Sequence, residues 1–140
     1  MIVDKLLPVQ SLSGMKIHFI TNYKNLEAWK KNMLLVKEVY TATATYPKNE
    51  LYALTLQTRQ AAVSIPASIG EGVGRKYKKN TIQFLHISRG SLYELETLLD
   101  IAVMVEILSE EIFKSLAQMP EDCIKILTGL ISYFEESNLK

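Results

Sequence analysis

Apolar residues recur at steps of three and four over most of residues 26–134, and no stretch alternates with the period of two that a half-buried strand requires. Four such segments, divided by short polar or proline- and glycine-bearing connections, restrict the chain to an all-α architecture. The expected arrangement is an antiparallel up-down-up-down four-helix bundle over residues 22–140. Residues 1–21 lack the rhythm and are expected to form a poorly ordered N-terminal arm.

The first segment, about residues 25–45, carries Leu26, Trp29, Met33, Val36 and Tyr40 on one face. Asn22 or Asn25 is placed to cap its start, and Tyr46-Pro47 ends it. The second begins just after Pro47, with Leu51, Leu54, Ala61, Ala62, Ile65 and Ile69 inward and a bend expected at Pro66. Asn80 with Gln83 resembles a capping box for the third segment, whose apolar positions from Phe84 through Ile87 and Leu92 to Ala102 predict burial on two sides. Ser109, followed by Glu110 and Glu111, reads as the N-cap of the fourth. Pro120 either kinks that segment or splits it.

At 140 residues the chain is long enough to bury a core without a disulfide or structural metal. Cys123 is its single cysteine, which fits a reducing, cytoplasmic setting. Asp4, Pro8, Gln10 and Ser11 interrupt the first twenty residues, unlike a signal peptide. The longest apolar run, Ile101 to Val105, is far short of the roughly 20 residues a bilayer requires. No membrane contact is expected. Net charge is only +1, yet residues 1–80 hold twelve Lys/Arg against five Asp/Glu, and residues 81–140 hold four against ten. Such asymmetry suits pairing between subunits or a basic face for a polyanion.

Few residues invite chemistry. Gly70, Gly72 and Gly74 follow a helix and lack the lysine and hydroxyl of a phosphate loop, so helix termination and close approach to a neighbour explain them better. Arg75, Lys76, Lys78 and Lys79 crowd one turn, where they complement a helix C-terminus or, repeated around a ring, make a polyanion footprint that could include Arg59. Glu71 and Glu94 are expected in ion pairs with Arg59, Arg75 or Arg89. His86 and Cys123 read as ordinary bundle residues, and Ser64 and Ser68 as hydroxyls bonded back to the helix near Pro66. No catalytic residue, metal site or cofactor is expected.

The stretch Gln57-Thr58-Arg59-Gln60-Ala61-Ala62-Val63-Ser64-Ile65-Pro66-Ala67-Ser68-Ile69-Gly70-Glu71-Gly72-Val73-Gly74-Arg75, followed by Phe84-Leu85 and Arg89-Gly90-Ser91-Leu92-Tyr93-Glu94-Leu95-Glu96-Thr97, resembles the bacterial four-helix-bundle family named after proteins encoded in 23S ribosomal RNA intervening sequences. Leu26-Glu27-Ala28-Trp29, Tyr46-Pro47 and Leu127-Thr128-Gly129-Leu130-Ile131 extend the likeness to about residues 22–135. The resemblance implies a homopentameric ring whose molecular role is largely unassigned; with no catalytic set in the chain, the expected function is a non-enzymatic scaffold for protein or RNA partners. It marks Gln57, Ser64, Pro66, Glu71, Gly72, Gly90, Ser91 and Glu94 as structural motif positions.

A sister group, the accessory proteins of diversity-generating retroelements, implies the alternative of an RNA- or DNA-binding partner of a reverse transcriptase. The chain departs from the family pattern at Gln60, Ser68, Gly70 and Glu106, where arginine, asparagine, alanine and glycine are usual. Without its arginine the nucleic-acid reading loses a contact, and Glu106 opens the helix 3–4 turn to rebuilding.

Self-assembly is also expected on physical grounds. Between Ile112 and Phe134 two adjacent apolar stripes run side by side, and an isolated bundle buries one broad stripe per helix. Phe113, Ile124, Ile131 and Phe134 are therefore the expected oligomer interface.

Overall fold

A computed structural model describes residues 22–138. The expected N-terminal arm lies outside the described residues. The described chain is all-helical, with four long segments (the last divided) around one apolar core. A single 3-10 turn at Tyr23–Asn25 leads into α1 (Glu27–Thr43). A second at Lys48–Glu50 precedes α2 (Leu54–Val73), followed by α3 (Lys78–Met104), α4 (Glu110–Leu116) and α5 (Gln118–Glu136).

Helix α1 buries a different face from the one its large side chains predict. Ala28, Asn32, Leu35, Val39 and Ala42 point into the core, while Met33 and Tyr40 are exposed and Trp29 and Val36 half-buried. The buried set has the same three- and four-residue spacing, but two alanines and an asparagine hide it on any hydropathy count. Inside, Asn32 Nδ2 donates to the Ala28 carbonyl at 2.8 Å, while its Oδ1 is buried without a hydrogen-bond partner among the described residues. Asn22 caps the 3-10 turn, accepting from Lys24 N at 3.2 Å, and neither it nor Asn25 caps α1, whose N-cap position is Leu26.

Helix α2 starts later than Pro47 suggests, because the 3-10 turn intervenes and Glu50 then reaches forward to accept from Leu54 N at 3.3 Å. Leu51, expected inside, is exposed as a result. The helix is continuous through Pro66. In α3, Tyr77 occupies the N-cap position and Asn80 already lies within the helix, so the expected capping box does not form. Nor is α3 buried on two sides: Leu85, Leu92, Leu95 and Leu99 face the core, but Ile87, Tyr93, Ile101 and Met104 face solvent.

The turn after α3 keeps a left-handed cap despite its residue. Glu106 has φ 62°, the one positive φ outside glycine among the described residues. Its N–H donates to Val103 O at 3.0 Å and Ile107 N–H to Ala102 O at 2.8 Å, the paired bonds of a Schellman motif. Rebuilding is thus unnecessary, at the cost of a strained glutamate. Ser109 caps α4 as expected, its Oγ accepting from Ile112 N at 3.1 Å. Pro120 accompanies a split rather than a kink: the helix is interrupted at Ala117, and Pro120 falls in the first turn of α5, where a missing N–H costs no helical bond.

Candidate functional site

The fourth segment was the expected interface, yet it supplies much of the core. Ile131 and Phe134 are 2% exposed, and Phe113 and Ile124 are half-buried against the same cluster. Helix α5 packs on both α1 and α3, so two neighbours within one chain cover its two stripes. Unpartnered apolar surface appears instead outside α2 and α3.

On α2, Leu56, Gln60, Val63 and Ala67 recur at steps of four and three and are all exposed. On α3, Ile87, Gly90, Glu94, Thr97 and Ile101 do the same. The two rows flank a side-chain bond between Ser64 Oγ and Ser91 Oγ, which pins the helices together. Ser64 also donates to the Ala61 carbonyl at 3.0 Å, and Ser88, rather than Ser68, reaches the carbonyl beside Pro66, at Ile65 O, 2.9 Å away. Four motif residues therefore gather here: Ser64, Gly90, Ser91 and Glu94. Gln57 is exposed one turn away, while Pro66 is buried.

Two motif glycines have opposite surroundings. A Cβ on Gly72 would lie 2.5 Å from Phe84 Cβ, so α2 and α3 approach each other where only glycine fits. Thr81 Oγ1 closes that crossing by donating to the Gly72 carbonyl at 2.8 Å. A Cβ on Gly90 would meet nothing within 4 Å. Nothing inside the described chain accounts for a glycine in the middle of a long helix, where it is destabilising by about 0.5–1 kcal/mol relative to alanine.

Between α1 and α2, Tyr40, Leu51, Leu56 and Val63 line an open groove of about 540 Å³. Arg59 crosses it: its Nε donates to Thr43 Oγ1 at 2.8 Å, and its guanidinium lies 4.4 Å from the centre of the Tyr40 ring. No carboxylate pairs with it among the described residues.

The structure does not bring the candidate polyanion residues together. Arg59 lies on α2 and Arg75 two residues past its end, with a rise of fourteen helical residues, about 21 Å, from Arg59 to Val73. Arg75 pairs with Glu71 at 2.9 Å and covers the Phe84 ring, Lys76 lies over Tyr77, and Lys78 Nζ donates to the Ser137 carbonyl at 2.9 Å. Lys79 is exposed with no such contact among the described residues. The expected pairing of Glu71 is thus found, though on the surface, whereas Glu94 has no ion pair among the described residues.

Arg89 donates to Thr128 Oγ1 at 3.1 Å and lies 3.2 Å from His86 Nδ1, and His86 Nε2 faces Glu135 at 3.8 Å. Glu96, Asp100 and Glu121 share a small cleft beside Phe113 and Pro120. Partial burial, then the charges of Glu121 and Asp100, raise the Glu96 carboxyl above its ordinary value. Burial pushes the Cys123 thiol up to about 12. No group of three His, Cys, Asp or Glu among the described residues is arranged to hold a metal ion. No described helix is long and apolar enough to cross a membrane.

Fold and site together define a small all-helical bundle protein with an exposed apolar flank. The chain belongs to the 23S rRNA-intervening sequence protein family, whose model matches residues 24–129. Comparison with curated proteins gave no match.

Proposed function

We propose that the chain is a non-enzymatic homo-oligomer, a five-membered ring as the family resemblance implies, which serves as a cytoplasmic scaffold for protein or RNA partners. The observation that carries this reading is the unpartnered surface on α2 and α3, with large side chains in water and Gly90 set among them. Burying one such side chain fully is worth roughly 1.5–3 kcal/mol, so a handful drive association against the entropic cost of docking.

The bundle we propose runs up-down-up-down. Support comes from contacts that descend along one helix as they rise along the next: Gly72 with Thr81, Ile65 with Ser88, Ser64 with Ser91. Direct nucleic-acid binding has less to draw on, because Arg75 and Lys78 are already engaged within the chain. Turnover has little to draw on either, since Ser64 bonds to Ala61 and Ser91, and His86 neighbours Arg89 and Glu135.

The test is light scattering on a sizing column at several protein concentrations. A mass of several chains that persists on dilution to micromolar is expected. The mass of one chain at that concentration would overturn the proposal.

A further inference from the structure

We infer that the α3 ridge centred on Gly90 seats in the α1–α2 groove of a second copy, so that each subunit offers one groove and one ridge. The inference rests on the self-assembly reading and specifies its contact. Two surfaces of one molecule are both apolar in part and carry opposite charges.

The groove is concave and apolar. Tyr40, Leu51, Leu56 and Val63 are each 41–47% exposed, too large a fraction for residues whose packing is complete within the chain. The ridge is an exposed helix face. Ile87 and Ile101 stand out from α3, and between them Gly90 leaves a gap with open space beyond its Cα. A missing side chain on a ridge lets a neighbouring helix approach towards the short end of the usual 8–10 Å interaxial range. Helix α3 thus keeps a residue that weakens it alone and suits it to be packed against.

Charge selects the partner. The groove holds Arg59, whose contacts are a hydroxyl, a carbonyl and a ring, leaving its charge without a carboxylate. The ridge holds Glu94, one turn beyond Gly90, exposed and likewise without an ion pair among the described residues. Groove on groove would set arginine against arginine, and ridge on ridge glutamate against glutamate. Groove on ridge joins opposite charges. A contact between unlike surfaces closes at once when both copies exchange ridge for groove about a two-fold axis, and otherwise propagates until a ring closes it.

The experiment uses two variants of the full chain, Gly90→Arg on the ridge and Val63→Glu in the groove. Both positions are exposed, and Gly90 has room for a side chain, so both variants should keep the wild-type helical circular dichroism. Each alone should run as a single chain in light scattering. Mixed in equal amounts they should form a one-to-one dimer and nothing larger, because one intact groove meets one intact ridge.

Arg59→Glu and Glu94→Arg should each weaken assembly by about tenfold or more, and the double reversal should recover most of the loss. A wild-type oligomer with either single variant keeping its full mass would overturn the inference and leave self-assembly standing. So would two single-chain variants that fail to pair on mixing, or a double reversal as weak as the single ones. A wild type that is itself a single chain would remove both.

Discussion

Glu106 stands in a conformation that its side chain opposes, which makes Glu106→Gly an expected stabilising change. At φ 62° the Cβ crowds the following carbonyl, a strain of about 1–2 kcal/mol for an ordinary L-residue. Glycine removes that strain and returns part of the gain by adding about 0.4–1 kcal/mol of backbone freedom to the unfolded chain. The two bonds from Glu106 and Ile107 to Val103 and Ala102 are main-chain bonds and survive the substitution. Glu106 is exposed and forms no ion pair among the described residues, so little else is lost.

The net expectation is a gain of about 0.5–1 kcal/mol, or roughly 2–4 °C in melting temperature for a domain of this size. Urea and thermal unfolding, followed by circular dichroism at one fixed protomer concentration, measure it, because assembly makes stability concentration-dependent. Glu106→Asn should fall between glutamate and glycine, and Glu106→Val below glutamate. A glycine variant no more stable than wild type, or a valine variant equal to it, would refute the reasoning.

Gly72→Ala forces a methyl against Phe84 Cβ and the Thr81 carbonyl, and should cost about 1–3 kcal/mol in urea unfolding. An unchanged midpoint would show that α2 and α3 do not approach so closely. Ser109→Ala removes the side-chain acceptor for Ile112 N and should cost about 1 kcal/mol, with Ser109→Asp largely neutral. Equal losses in both variants would point away from capping. Cys123 should resist iodoacetamide at pH 8 until the protein unfolds, and native labelling at the rate of a free thiol would contradict its burial.

The same thiol sets a sign for alkaline stability. It ionises at 9.0 unfolded and only near about 12 folded, so its contribution is complete below pH 9 and is lost as pH rises towards 12. Cys123→Ala should flatten that decline.

How far the fold was legible depended on how local its causes are. Ser109 and its acids mark a helix start through contacts three residues long, and they were readable at once. Gly72 was readable as a close approach, though the partner, Phe84, was not. Faces were harder. In α1 the buried set includes Ala28, Asn32 and Ala42, which are small or polar, while the bulkier Met33 and Tyr40 stay outside. Periodicity says that a helix has an apolar stripe, and the neighbours decide which of two adjacent stripes goes inside.

The same ambiguity put core residues among those expected at an interface. The double stripe of Ile124, Ile131 and Phe134 is broad because α5 meets two helices of its own chain. The outer flank was less visible, since the signal there is a glycine with nothing around it. An empty surrounding can be seen only in three dimensions.

Gly72 and Gly90 belong to one motif but answer to different filters. In a library of random substitutions sorted first for folded protein and then for assembled protein, position 72 should lose its diversity in the first sort, because the chain itself occupies the missing side chain's place. Position 90 should pass that sort enriched in alanine and other good helix formers. It should return to glycine only in the second, so the order in which two identical residues are selected separates what the protein needs to exist from what it needs to meet its partner.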